Sequence, residues 1–156
     1  YQIISQRPDY SFVFTGPEDD GFRQHRIHSL KNAYFTGQKK VDELPAYITA
    51  YDVCINPQMV NDITDGNYPL KIDEYLAMGK PTVATSTHTM RHIFADHTHL
   101  ATNPEEWLSA IDRAVTEADD KELAKQRIAF AETHSWGHSV KKIYGIIDNF
   151  LKEKAT

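Results

Sequence analysis

Asn67-Tyr68-Pro69-Leu70-Lys71-Ile72-Asp73-Glu74-Tyr75-Leu76-Ala77-Met78-Gly79-Lys80-Pro81-Thr82-Val83-Ala84 is the stretch that decides how the rest of the chain is read. A proline at the first helical position costs little, because the N–H it lacks would have no partner there. A glycine just past the last turn supplies the left-handed residue on which helices commonly end. Pro69 and Gly79 stand in those two places, so the spacing predicts a helix between them. Lys80-Pro81 forbids its continuation, and Pro81-Thr82-Val83-Ala84-Thr85 has the β-branched, apolar composition of a strand. A helix that hands over directly to a strand is half of a βαβ unit, and it asks for a strand before it.

That earlier strand is Asp52-Val53-Cys54-Ile55-Asn56, closed by Pro57 and separated from the helix by a polar stretch from about Gln58 to Tyr68. Further upstream, Ser11-Phe12-Val13-Phe14-Thr15 reads as a strand ending at Gly16-Pro17, and Ala33-Tyr34-Phe35-Thr36 as another ending at Gly37. A helix is expected near residues 19–30. A second follows an Asp42 cap and runs through about Ala50, with Pro45 in its first turn and Leu44, Tyr47, Ile48 and Tyr51 as its buried stripe. Downstream, Thr98-His99-Leu100-Ala101 makes a short fifth strand, and the remainder is helical. Asn103, Pro104 and Glu106 form a capping-box start, with Trp107, Leu108, Ile111, Ala114 and Val115 following at helical spacing. The next helix spans about Asp119 to Thr133. A last one is capped by Ser135 and carries Val140, Ile143, Tyr144, Ile147 and Leu151 on one face. The fold expected is α/β: a doubly wound parallel sheet with helical C-terminal segments. In such sheets ligands bind beyond the carboxyl ends of the strands, here the loops after Thr15, Thr36, Asn56 and Thr85.

The totals narrow the function. A chain of 156 residues suits one domain. Its 17 Lys+Arg against 22 Asp+Glu leave a formal charge of -5, which argues against a phosphate-tracking nucleic-acid surface. An anion must then be held by local geometry, such as the N–H groups of a helix start. Cys54 is the single cysteine, so no internal disulfide forms. No apolar run nears the roughly 20 residues of a membrane span, and the first residues do not read as a basic-then-apolar signal segment, so no secretory leader is expected. A cytoplasmic location is expected. The chain opens on what reads as the tail of a helix, and it is expected to be a fragment.

The helix start at Pro69 is where chemistry is expected. Its first N–H groups lack intrahelical partners and its dipole end is positive, a setting suited to a diphosphate. Lys71 lies in the first turn and Glu74 three residues on, so the two can pair with each other or share a ligand. A carboxylate one turn from a phosphate site is placed to accept hydrogen bonds from ribose hydroxyls. The plain alternative is a surface Lys–Glu pair on an ordinary helix.

The same stretch resembles the donor-site helix of family 4 glycosyltransferases and their relatives with the GT-B fold. The matching residues are Pro69-Leu70-Lys71, Glu74-Tyr75-Leu76-Ala77 and Gly79-Lys80-Pro81. Phe14-Thr15-Gly16-Pro17, Phe35-Thr36-Gly37, Glu43-Leu44-Pro45 leading into 52–57, and Ser135-Trp136 extend the likeness over roughly residues 8 to 150. The resemblance implies a Rossmann-like, nucleotide-sugar-binding half of a GT-B fold across residues 1–156. Such an enzyme moves a sugar from a nucleotide diphosphate to an acceptor, usually with retention, with neither cofactor nor bound metal. By position, Glu74 would bind the ribose hydroxyls. The backbone of Asn67, Tyr68, Pro69 and Leu70 would hold the diphosphate, with Lys71 nearby, and Gly37, Gln38 and Lys39 would lie close to the base. No nucleic-acid partner is expected. The family's first strand and N-terminal acceptor domain are expected to lie outside these residues, and any peripheral membrane contact would be made through that domain alone. The fragment by itself is expected to be inactive.

The family often carries a further glutamate eight positions before the ribose-binding one. Here that position is Gly66, with Asp65 adjacent. A nucleotide-sugar epimerase, which shares the fold and the diphosphate site, is the runner-up enzyme reading, and the missing glutamate makes a non-catalytic nucleotide-sugar-binding or scaffold domain a rival from another class. His88 and His92, and His134 and His138, are spaced as metal ligands on a helix would be. No cysteine or carboxylate completes either pair, so they read as surface or capping residues. Cys54, Trp107 and Trp136 read as packing residues.

Overall fold

A computed structural model describes residues 1–154. The elements in order are α1 (Gln2–Ser5), β1 (Phe12–Thr15), α2 (Asp20–Arg23), β2 (Ala33–Gly37), α3 (Leu44–Ala50), β3 (Cys54–Asn56), α4 (Leu70–Ala77), β4 (Thr82–Thr85), β5 (His99–Ala101), α5 (Pro104–Thr116), α6 (Lys121–Glu132) and α7 (Trp136–Lys154). A 3-10 turn spans Arg26–Ser29 and a π-helical turn Met90–Phe94. All five strands pair in parallel, as the alternation of elements demands.

The strands do not form one sheet. β1 pairs with β2, and β3, β4 and β5 make a separate trio in that order. Between the pair and the trio no ladder hydrogen bonds run, so β1 and β3 each have a free edge among the described residues. The two sheets nevertheless share a core. Phe12 of β1 and Val83 of β4 lie in one buried cluster with Ile4 of α1 and Trp107, Ala110 and Ile111 of α5. Ala84, the next residue of β4, turns to the opposite face and packs with Ile72 and Leu76 of α4, Phe94 and Ala131 of α6. Successive strand residues point to opposite faces, so this pair of neighbours shows helices covering both sides of β4.

Several boundaries differ from expectation for identifiable reasons. The helix expected at 19–30 is broken after Arg23, because His25 adopts extended backbone (ψ 138°) and its Nδ1 accepts from the N–H of Ile27 at 3.2 Å. That side chain offers the backbone an alternative to the helix ladder. Glu43, not Asp42, precedes α3, and Asp120 caps α6 by accepting from Glu122 and Leu123. Pro69 sits at the cap position of α4, one residue earlier than predicted. The capping box at α5 forms: Asn103 Oδ1 accepts from the N–H of Glu106 at 2.9 Å, and Glu106 reaches back to the N–H of Thr102 at 2.7 Å. Lys80 closes the far end of α3 by donating to the Thr49 carbonyl at 2.8 Å, where the helix dipole favours a cation.

The last helix is the largest departure. None of the residues of α7 is buried, and the stripe of Val140, Ile143, Tyr144, Ile147 and Leu151 lies open to solvent. Trp136 is 86% exposed, contrary to its reading as a packing residue, whereas Trp107 is buried in the core as expected.

Candidate functional site

The polar stretch after β3 forms the wall of the site. It leaves the carboxyl end of β3 and is fastened to the ends of neighbouring strands. The N–H of Gln58 donates to Thr85 Oγ1, at the end of β4, at 2.8 Å. Asp65 then ties the loop to the one that follows β4: its Oδ1 accepts from the N–H of His88 at 2.7 Å and its carbonyl from Thr89 at 3.2 Å. Asp65, the carboxylate beside Gly66, is thus engaged with backbone, and Gly66 is exposed and brings no side chain.

From this loop the chain enters α4. Asp19, Asn103 and Asp120 place side-chain oxygens on the N–H groups that open α2, α5 and α6. At α4 no side chain caps the start. Its first N–H groups therefore carry no side chain, although that of Ile72 donates to the Pro69 carbonyl at 2.9 Å, and an uncapped helix start at a strand's carboxyl end accommodates an anion. Lys71 and Glu74 are both exposed, and no ion pair joins them. Leu70 is 68% exposed at the same lip.

Gly37 ends β2 with φ 71°, the left-handed region, and its carbonyl accepts from the N–H of Gly16 at 3.1 Å, which joins the carboxyl ends of β1 and β2. Gln38 is exposed. Lys39 lies over the Tyr47 ring, its Nζ 5.3 Å from the centroid. The sequence-predicted residues therefore fall on two segments: 37–39 at the end of β2, and 67–74, the loop after β3 together with the first turns of α4.

Sequence reading missed the polar cluster behind the α4 start. The Tyr68 hydroxyl donates to Asp73 Oδ2 at 2.7 Å, and His134 Nδ1, from the end of α6, lies 2.9 Å from Asp73 Oδ1. Burial, helped by the bond to Asp73, pushes the Tyr68 phenol well above its ordinary value. His134 is thus a structural partner of α4, not a surface residue. The residues lie 61 positions apart, beyond any helical spacing that could have signalled the contact. The His88 and His92 rings lie 4.2 Å apart, but among the described residues no three His, Cys, Asp or Glu side chains gather into a metal-binding group. Cys54 is buried in β3, as expected.

The fold defines a class: a parallel α/β domain of Rossmann-like kind, with a helix start that no side chain caps in the segment after β3. The family model described as Glycosyl transferases group 1 matches residues 1–117, and the chain belongs to that family. It is also 28% identical over 145 residues to TuaH of Bacillus subtilis (strain 168), provisionally named a teichuronic acid biosynthesis glycosyltransferase. That match covers 88% of this chain but 36% of TuaH, so the chain spans about a third of the length of this relative. No helix among the described residues is long and apolar enough to cross a membrane.

Proposed function

We propose that these residues are the donor-binding half of a retaining glycosyltransferase, which takes a sugar from a nucleotide-diphosphate sugar and passes it to an acceptor held by another part of a longer enzyme. The observation that carries this reading is the start of α4. It is the one helix of eight or more residues with its start at the strand ends and, among the described residues, no side chain on its first N–H groups, with Lys71 and Glu74 free beside it. Loss of a sugar leaves negative charge on the departing diphosphate. Fixed N–H dipoles and a nearby Lys71 ammonium stabilise that charge without reorganising as it develops. Glu74 accepts from the ribose hydroxyls, and 37–39 lie beside the base. The enzyme works in the cytoplasm without metal or cofactor, reaches a membrane only through its other domain, and is inactive as this fragment.

Replacing Glu74 with Ala tests the assignment. Nucleotide affinity should fall by about 1.5–3 kcal/mol, the range for hydrogen bonds to a charged group. Stability should move by less than about 0.5 kcal/mol, because the side chain is exposed and unpaired. Unchanged affinity in a calorimetric titration would remove Glu74 from the site.

One observation favours a second reading. Gly66 carries no carboxylate, and Asp65 has one carboxylate oxygen engaged by the His88 N–H, so the donor sugar lacks the glutamate that often stands there. A nucleotide-sugar-binding scaffold would bind the donor as tightly and transfer nothing. Product formation from donor and acceptor by the longer protein separates the two.

A further inference from the structure

We propose that Asp73 is a positioning residue, which fixes the mouth of the nucleotide site by clamping the loop before α4 and the end of α6 to the first turn of α4. This rests on the donor-site reading above. An aspartate in the first turn of a helix usually serves the helix itself, by capping or by its charge. Asp73 does neither of its ordinary tasks alone, because each of its two oxygens has a partner from another segment. Oδ2 accepts from the Tyr68 hydroxyl at 2.7 Å, and Oδ1 lies 2.9 Å from His134 Nδ1.

The setting is built to hold that geometry. The Asp73 and His134 side chains are only 20% and 23% exposed. The Tyr68 ring rests on Phe94 at 5.5 Å, and the His134 ring meets Phe94 at 5.7 Å and Phe130 at 4.6 Å, both edge to face. Phe94 is itself fully buried, so Tyr68 and His134 both lean on a ring that cannot shift without opening the core. The Asp73–His134 contact is part-buried, where a lost partner is costly, while Tyr68, 38% exposed, tethers the loop from the solvent side.

The consequence lies in the backbone. Tyr68 precedes Pro69, whose ring restricts the chain on both sides. Tethering the Tyr68 hydroxyl therefore sets the path of residues 67–70, the segment from which the open N–H groups of α4 emerge. Those groups have no side-chain cap to hold them. Asp73 supplies the order that a cap would give, while placing no side chain on the N–H groups of Leu70 and Lys71.

The test is calorimetric titration of UDP and of GDP into the wild-type protein and into Asp73→Ala, Asp73→Asn, Tyr68→Phe and Glu74→Ala, with amide hydrogen exchange on each. Asp73→Ala should weaken whichever nucleotide binds by about tenfold, the equivalent of one hydrogen bond to a charged group. Asp73→Asn, whose amide can still accept from Tyr68, should recover part of that loss. Exchange should quicken in residues 66–72 and stay unchanged in β4, β5 and α5. Should Asp73→Ala fail to fold, Tyr68→Phe removes only a hydroxyl and should weaken binding about threefold, a fraction of the same bond. Affinity in Asp73→Ala, or in Tyr68→Phe where it replaces it, equal to wild type would overturn the proposal. Loss of affinity in Glu74→Ala with none in Asp73→Ala leaves the donor site standing and removes only the clamp. If neither nucleotide binds the wild type, the donor reading falls and the clamp falls with it.

Discussion

Gly79 and Gly37 share a backbone angle and differ in their surroundings, which makes them a controlled pair. Both have φ 71°. A Cβ at Gly37 would meet nothing, whereas one at Gly79 would lie 3.1 Å from Ala124 Cβ and 3.4 Å from its carbonyl oxygen, where α6 crosses α4. Gly37→Ala should cost about 1–2 kcal/mol, the penalty of a left-handed L-residue. Gly79→Ala should cost about 1–3 kcal/mol more, because a tightly packed contact must also give way. Urea midpoints of the two variants measure the difference, and equal values would show that α6 yields without strain. Cys54 offers a second residue-scale check. Burial pushes its thiol up to about 12, with the charge of Lys80 opposing weakly. The thiolate is the reactive form, so a disulfide reagent at neutral pH should modify Cys54 only at the rate at which the protein unfolds. Rapid labelling of the folded chain would place the thiol on an accessible surface.

At the scale of elements, the contacts that hold helices to the sheet are polar as well as apolar. Arg7, just past α1, donates through Nε to Asp112 Oδ1 of α5 at 2.8 Å and through Nη2 to Oδ2, and Tyr10 OH donates to the same carboxylate at 3.1 Å. The hydrogen bond from Arg7 holds the Asp112 carboxyl below its ordinary 3.8. A carboxyl whose pKa is lower in the folded than in the unfolded chain stabilises the fold above its unfolded value. That contribution disappears as pH falls through the folded value. Wild type should therefore lose stability below about pH 4 in a way that Asp112→Asn does not. Parallel urea curves for the two from pH 6 to pH 2.5 would contradict the assignment. On the other side of the sheet, Arg127 of α6 is buried, bonds Glu117 through Nη2 and reaches the Gly79 carbonyl at 3.4 Å. His99 Nε2 lies 2.9 Å from the other Glu117 oxygen. Removing Glu117 would leave a buried guanidinium without its anion, so Glu117→Ala should cost about 3–5 kcal/mol. A loss under about 1 kcal/mol by thermal or urea unfolding would mean that water reaches Arg127 freely.

At the scale of the whole molecule, α7 presents an apolar stripe to solvent, and among the described residues β1 and β3 each keep one edge without a ladder partner. Since α7 buries nothing, the double change Ile143→Ser and Ile147→Ser should shift stability by less than about 0.5 kcal/mol. Ile72→Ala, at a fully buried position, should cost about 2–5 kcal/mol. A large loss in the double variant would show that α7 packs on the sheet in solution. If these residues are half of a longer enzyme, the remaining half covers these surfaces, and amides of β1 and β3 should exchange more slowly in the longer protein than in this chain.

Much of this architecture was legible from local chemistry. The strand at 82–85, the parallel alternation, the Asn103 cap and the turn at Gly79 each follow from residues within a few positions of one another, where proline, glycine and capping side chains act. The motif around the α4 start was legible for the same reason, together with the family to which it belongs. What the sequence alone could not determine are the features that join distant segments. The break in the 19–30 helix hangs on one His25 side chain, and the clamp of Tyr68 and Asp73 with His134 spans 61 positions. The division of five parallel strands into a pair and a trio depends on which edges meet, and the exposure of α7 on which faces find a partner. Local propensity sets what each segment becomes. Burial and pairing between segments decide where it goes, and those energies exist only once the chain has closed on itself.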